Sequence, residues 1–218
     1  MKVGVVGLGY VGLSIAIVFA EQGNTVIGVE VDSEKVEKLR KGIPTMFEPG
    51  IKEHLERALP NLHVSSDYST LSEAKFIYVA VPTPTVDNRI DLSYVEQAAL
   101  SIKAACPNSV IVIKSTVVPG TARKISALTG MEVVSNPEFT REGHAIEDTS
   151  KCLYLSRCVL VWIILIDLTQ EELFALCCAA LQQSMRRSLR ASLNVSLWVS
   201  RAAGFSSTRT YFIFCSLC

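Results

Sequence analysis

The chain has 218 residues, and its 21 Lys+Arg are balanced by 21 Asp+Glu. A formal charge of zero excludes nucleic-acid binding by bulk counterion release, which needs a basic face. With 49% hydrophobic residues the chain is not disordered throughout, and its length suits one domain, or one domain and part of another.

Residues 2–6, KVGVV, predict a strand that runs into GLGYVG. Gly7, Gly9 and Gly12 stand in the spacing G-x-G-x-x-G, and a helical apolar pattern (Val11, Leu13, Ile15, Val18, Phe19) follows to about Glu21. After Gly23-Asn24, TVIGVE (25–30) reads as the next strand and ends on Glu30. A glycine triplet between strand and helix, with an acid closing the next strand, is a dinucleotide-binding pattern. Gly7 permits the sharp turn, Gly9 keeps a Cβ out of the way of a pyrophosphate, and Gly12 lets the helix pack close to the sheet. The helix N-terminus turns unpaired N–H groups and partial positive charge toward the phosphates. Glu30 is expected to accept hydrogen bonds from the adenosine ribose and to repel a 2′-phosphate, which predicts NAD over NADP. Lys2 and the apolar residues to Ala20 do not read as a secretory signal, because glycines interrupt them and the pattern continues past any cleavage point.

The alternation continues. Ser33 is predicted to cap a helix to about Lys41, Pro49-Gly50 turns into a helix near 51–58, and LHVS (62–65) is a short strand. FIYVAV (76–81) is apolar throughout, as a central parallel strand should be, and stops at Pro82. Asp91-Leu92-Ser93 starts a helix to about Ala105, SVIVIKS (109–115) is another buried strand, Pro119 opens a helix, and MEVVS (131–135) is the last strand. This order predicts an α/β fold with a doubly wound parallel sheet. Thr83, Thr116 and Glu138 each follow a strand end, and ligands of open α/β sheets sit beyond the carboxyl ends of the strands. The three are therefore predicted to surround one crevice.

With those motifs in view, the chain resembles the nucleotide-sugar 6-dehydrogenases, which include the UDP-glucose, GDP-mannose and UDP-N-acetylmannosamine dehydrogenases. GLGYVG, VEVD, MFEPG, VAVPTPT, DLSYV, KSTVVPGT and NPEFTREG-AIED occur in that family's order, and MFEPG with NPEF-REG-AIED is most similar to UDP-glucose 6-dehydrogenase. The resemblance covers about residues 1–148 and implies a Rossmann-type NAD-binding domain. It implies oxidation of a sugar C6 alcohol to a carboxylate with two NAD and a water, through a cysteine thiohemiacetal and thioester. By that likeness Gly7, Gly9, Gly12, Glu30 and Asp32 hold NAD, and Thr83 lines the cofactor site. Thr116, which also borders the cofactor, and Glu138 position the hydrolytic water, with Glu138 as an acid/base. Glu142 stands where the family contacts cofactor or substrate. Thr140 departs from the pattern, in which a leucine usually follows the Phe of NPEF. The resemblance also implies a cytoplasmic protein with a nucleotide-sugar substrate, UDP-glucose first, and a homo-oligomeric family, with neither nucleic acid nor membrane as partner.

After Asp148 the likeness stops. Lys outnumbers Arg 9 to 5 in residues 1–148 and Arg outnumbers Lys 6 to 1 in 149–218, and all 8 prolines precede the break while 6 of 7 cysteines follow it. Residues 149–218 are therefore expected to be a non-family tail of unknown fold, either the product of an accident of the reading frame or a diverged C-terminal segment, in place of the part that carries the family's catalytic lysine, asparagine and cysteine. Cys106 lies outside the nucleophile's context. The tail's apolar runs are shorter than a membrane helix needs, and Cys215-x-x-Cys218 lacks a second ligand pair, so no metal is expected. A chain of this make-up is expected to bind NAD weakly and not to turn over.

Overall fold

A computed structural model describes residues 1–136, 140–151 and the backbone of 211–212. Glu138, and the tail other than residues 149–151 and 211–212, lie outside the described residues. One compact unit comprises Met1–Ser150 with Thr208–Cys218; a second, Lys151–Ser207, is outside the described residues except for Lys151.

The first unit is built on a parallel sheet in the order β3-β2-β1-β4-β7-β8-β9. Its strands are β1 (Lys2–Val6), β2 (Thr25–Val29), β3 (Leu62–Ser65), β4 (Phe76–Val79), β7 (Val110–Ile113), β8 (Val133–Ser135) and β9 (Tyr211–Phe212). Register is continuous across the middle: Val3 lies opposite Val26 on one side and Phe76 on the other. The strand order reverses between β1 and β4, which creates the crevice where doubly wound sheets bind ligands. The short β9, from the tail, pairs in parallel with β8 through Val134–Tyr211 and Ser135–Phe212.

Helices cover both faces. Helix α1 (Tyr10–Glu21) packs on β2 and on α3 (Ile51–Ala58), and every residue from Gly12 to Ala20 is buried. Such a helix, apolar all round, belongs between layers rather than at a surface. Phe19 meets the Tyr78 ring of β4 at 5.2 Å between centroids. On the other face, α4 (Ser93–Ala105) and α5 (Thr121–Thr129) bury Val95, Ile102 and Ile125 against Val6, Ile77, Val79, Ile111, Ile113 and Val133. Strands buried on both sides need no apolar–polar alternation, which is why they read as unbroken apolar runs.

Several boundaries differ from those the sequence predicts. Helix α2 spans Ser33–Arg40, but its cap is Asp32, whose Oδ1 accepts from the N–H groups of Glu34 and Lys35 at 3.0 and 3.3 Å. Pro119 does not open α5. Gly120 has φ +92°, and the Thr121 N–H donates to the Val118 carbonyl at 3.2 Å. Pro119-Gly120 is thus the centre of a type II turn, which demands positive φ at its third position, and the helix begins after it. Strand β4 stops at Val79 rather than residue 81. The sequence pattern also left out a small hairpin, β5 (Thr85–Val86) with β6 (Arg89–Ile90), turned by Asp87 and Asn88 at φ +49° and +58°. Two successive left-handed residues make the tight turn that suits strand twist.

Residues 145–151 are helical. No helix among the described residues is long and apolar enough to cross a membrane.

Candidate dinucleotide-binding site

The carboxyl end of β1 leads directly into the glycine turn. Gly7 has φ +86°, and its N–H donates to the Val29 carbonyl at 2.8 Å, tying the turn to the end of β2. A Cβ at Gly12 would overlap the Gly7 carbonyl oxygen, so the first turn of α1 lies directly on the loop it leaves. A Cβ at Gly9 would meet nothing within 4 Å. The triplet thus combines one strained turn, one tight contact and one open approach, with the N-terminus of α1 behind it. That combination fits a diphosphate, which needs bare backbone near N–H donors.

Glu30 lies at the mouth of the same turn, 7% exposed. Its Oε2 accepts from the Leu8 N–H at 2.9 Å and its Oε1 from the Asp32 N–H at 3.2 Å. A carboxylate offers about four lone-pair sites, so two internal bonds fix its orientation and leave acceptor capacity for a diol. Asp32 stands beside it, with Oδ1 engaged in the α2 cap.

The two threonines come together across the crevice. Thr83, beyond β4, donates its hydroxyl to the Thr116 carbonyl, beyond β7, at 2.8 Å. The Ser115 hydroxyl donates to the Val81 carbonyl at 2.7 Å, and the Lys114 and Ser115 N–H groups both donate to the Val79 carbonyl. These bonds stitch the ends of β4 and β7 into one rim. Lys114 is buried beneath it, with Nζ 3.3 Å from the Asn136 Oδ1. Glu142 is exposed on a separate loop, and no hydrogen bond joins it to either threonine. Glu138 lies outside the described residues.

Glu48 was not assigned a role from the sequence, although it sits within MFEPG. It is 5% exposed, and its carboxylate accepts from the Tyr10 hydroxyl at 2.9 Å, the Gly143 N–H at 3.0 Å and the Ala145 N–H at 2.6 Å. Nothing local announces this, because two of its partners lie 95 and 97 residues away. Burial pushes the Glu48 carboxyl up, but the donors Ala145, Tyr10 and Gly143, together with the nearby His144, outweigh it and set it below its ordinary value. Burial, and the bond and charge of Glu48, push the Tyr10 hydroxyl up to about 12, so it stays protonated as a donor.

A carboxyl lowered in the folded state adds stability that is complete above its unfolded value and is lost as pH falls through the folded one. Melting scans on acidification are therefore expected to show a falling midpoint in that window, with a shallower slope in Glu48→Gln. Equal slopes in the two proteins would remove Glu48 from the account of acid sensitivity.

Cys106 caps the end of α4, just before β7 begins and therefore at the amino end of the sheet, opposite the rim. It is buried, and burial pushes its thiol up, with the Ser109 hydrogen bond opposing. Reactive thiols are exposed and held low, so Cys106 has neither the place nor the chemistry of a nucleophile. Among the described residues no three His, Cys, Asp or Glu are grouped to hold a metal ion.

Comparison with known proteins agrees with this geometry. The NAD binding domain of the UDP-glucose/GDP-mannose dehydrogenase family matches residues 1–157. UDP-glucose 6-dehydrogenase of Rhizobium meliloti is 41% identical over 162 residues, which cover 68% of this chain and 37% of that protein. The solved UDP-glucose dehydrogenase of Pyrobaculum islandicum is 39% identical with a TM-score of 0.62, covering 67% of this chain and 38% of that one. GDP-mannose dehydrogenase of Pseudomonas aeruginosa, solved as a ternary complex, is 31% identical with a TM-score of 0.63, covering 68% and 38%. The chain thus spans little more than a third of the length of its relatives, and the match reaches nine residues past Asp148. A glycine turn closed by Glu30, on a doubly wound sheet, under a match that covers most of the chain, places this protein in the UDP-glucose/GDP-mannose dehydrogenase family, as a bearer of its NAD-binding domain.

Proposed function

We propose that this chain grips NAD for the oxidation of a nucleotide sugar at C6, with UDP-glucose as the sugar nucleotide. The observation that carries the reading is the turn Gly7–Gly12 with the Glu30 carboxylate bonded to the Leu8 N–H inside it. When bound, NAD supplies the hydride acceptor. The chain's own residues supply binding and orientation. The N-terminal amides of α1 receive the diphosphate beside the open Gly9, and Glu30 receives the ribose hydroxyls. Asp32 adds negative charge near that ribose. Thr83 lines the cofactor site, held by its bond to the Thr116 carbonyl. Thr116 and Glu138 orient water for thioester hydrolysis, where a carboxylate can take a proton from the attacking water. Glu142 approaches the substrate or cofactor from the loop at 140–144. The choice of UDP-glucose is supported by the names of the Rhizobium and Pyrobaculum relatives.

The covalent step needs an activated thiol, and Cys106, the one cysteine among the described residues, is not one, while the tail cysteines lack the family's following proline. The 218-residue chain is accordingly expected to bind NAD weakly and not to reduce it. Calorimetric titration with NAD, then with UDP-glucose, and absorbance of reduced cofactor with both present, test this in sequence. No heat of binding from a folded sample would refute the cofactor reading. NAD binding with no response to any sugar nucleotide would favour a non-catalytic dinucleotide-binding protein, and turnover would refute the claim of inactivity.

A further inference from the structure

We propose that Glu48 is a positioning residue that seats the segment bearing Glu142 against the dinucleotide turn. Glu48 belongs to the loop between α2 and α3, far along the chain from both parts it joins. One end of the latch is Tyr10, the first residue of α1 and the neighbour of Gly9, whose hydroxyl donates to Oε1 at 2.9 Å. The other end is the backbone around Glu142. The Ala145 N–H donates to the same Oε1 at 2.6 Å, and the Gly143 N–H donates to Oε2 at 3.0 Å. On the opposite flank, Arg141 gives its own N–H, Nε and Nη2 to the Asp148 carboxylate at 3.1, 2.9 and 2.8 Å. Glu142 is therefore held at both neighbours while its own side chain remains exposed.

The latch needs a carboxylate and not merely its shape. Donors point at both oxygens, and an amide of the same outline has only one acceptor oxygen. A glutamine NH2 would face either the buried Ala145 N–H and the Tyr10 hydroxyl or the part-buried Gly143 N–H, so one orientation orphans a buried donor and the other frees the Gly143 end of the latch. Tyr10→Phe removes one donor to Glu48, together with that hydroxyl's longer contact to the Arg141 carbonyl at 3.3 Å, and leaves both backbone bonds in place.

This inference rests on the reading that Glu142 belongs to the cofactor and sugar site. The test uses the whole 218-residue chain as wild type, Glu48→Gln and Tyr10→Phe, with amide hydrogen exchange and an NAD titration on the same samples. In Glu48→Gln, exchange at Gly143 and Ala145 is expected to rise roughly tenfold or more, the cost of an unpaired buried donor. Amides of Val5 and Ile77 in the central strands should keep their protection, and NAD affinity should fall several-fold. Tyr10→Phe should show a smaller rise at the same two amides. Unchanged exchange there in a folded Glu48→Gln protein overturns the inference. So does acceleration shared equally by Val5 and Ile77, which marks general loosening, and so does unchanged NAD affinity beside faster exchange. If Glu48→Gln does not fold, Tyr10→Phe decides by the presence or absence of its rise. If the wild type itself ignores NAD, the proposed function falls, and the exchange comparison alone decides the latch.

Discussion

Gly12→Ala is expected to lose measurable NAD binding and to melt well below the wild type. The added Cβ would overlap the Gly7 carbonyl oxygen, and a backbone atom cannot rotate aside as a side-chain tip can. Either α1 moves off the sheet or the turn opens, and both spoil the diphosphate cradle. Overpacking of a tight core costs about 1–3 kcal/mol and occasionally more. At about 2–4 °C per kcal/mol for a domain of this size, the upper end corresponds to a loss of roughly 6–12 °C. Gly9→Ala supplies the contrast. Its Cβ meets nothing within 4 Å, so the melting temperature should hardly change while the methyl obstructs the ligand. Calorimetry of the two variants beside the wild type separates steric damage to the fold from steric damage to the site. A Gly12→Ala protein that melts and binds like the wild type would refute the geometry of the turn.

The second large effect concerns cofactor choice. Wild type should bind NAD at least about a hundredfold more tightly than NADP, because a 2′-phosphate would be pressed against the buried Glu30 carboxylate, and losing a hydrogen bond to a charged group alone costs about 1.5–3 kcal/mol. Glu30→Gln keeps the outline and removes the charge, so NAD should weaken about tenfold while NADP loses its repulsion. The ratio of the two dissociation constants should therefore collapse toward unity. That ratio cancels any shared loss of stability, which matters because Glu30 also holds the Leu8 and Asp32 amides. A Glu30→Gln protein with the wild-type ratio would move the specificity elsewhere.

The legible features are those whose physics is local or periodic. Apolar runs marked the strands, and the glycine spacing marked the turn, because both are written within a few residues. The alternation of strand and helix was sufficient to predict a doubly wound sheet, and the sheet in turn brings Thr83 to Thr116 across 33 residues of sequence. The cap of α2 was misplaced by one residue because Asp32 and Ser33 are both good caps, and only geometry shows which side chain reaches Glu34 and Lys35. Pro119 fits a first helical turn and a type II turn equally well, and the φ of Gly120 decides for the turn. Glu48 was opaque for a different reason. A buried carboxylate is identified by its donors, and two of these are backbone amides, which carry no residue-specific signature.

The placement of β1 has a kinetic consequence. Its two neighbours, β2 and β4, contribute Val26 and Phe76 as partners of Val3, so one edge is satisfied by a nearby crossover and the other only after a much longer loop has closed. Distant pairings of this kind form slowly, since chain entropy is lost before contacts repay it. The turn that begins at Gly7 also leans on Ala80, at the end of the distant partner, so the anion cradle is complete only when that late pairing has formed. A ligand seated there acts on the finished state rather than on the route to it. It should slow unfolding and leave the refolding rate nearly untouched.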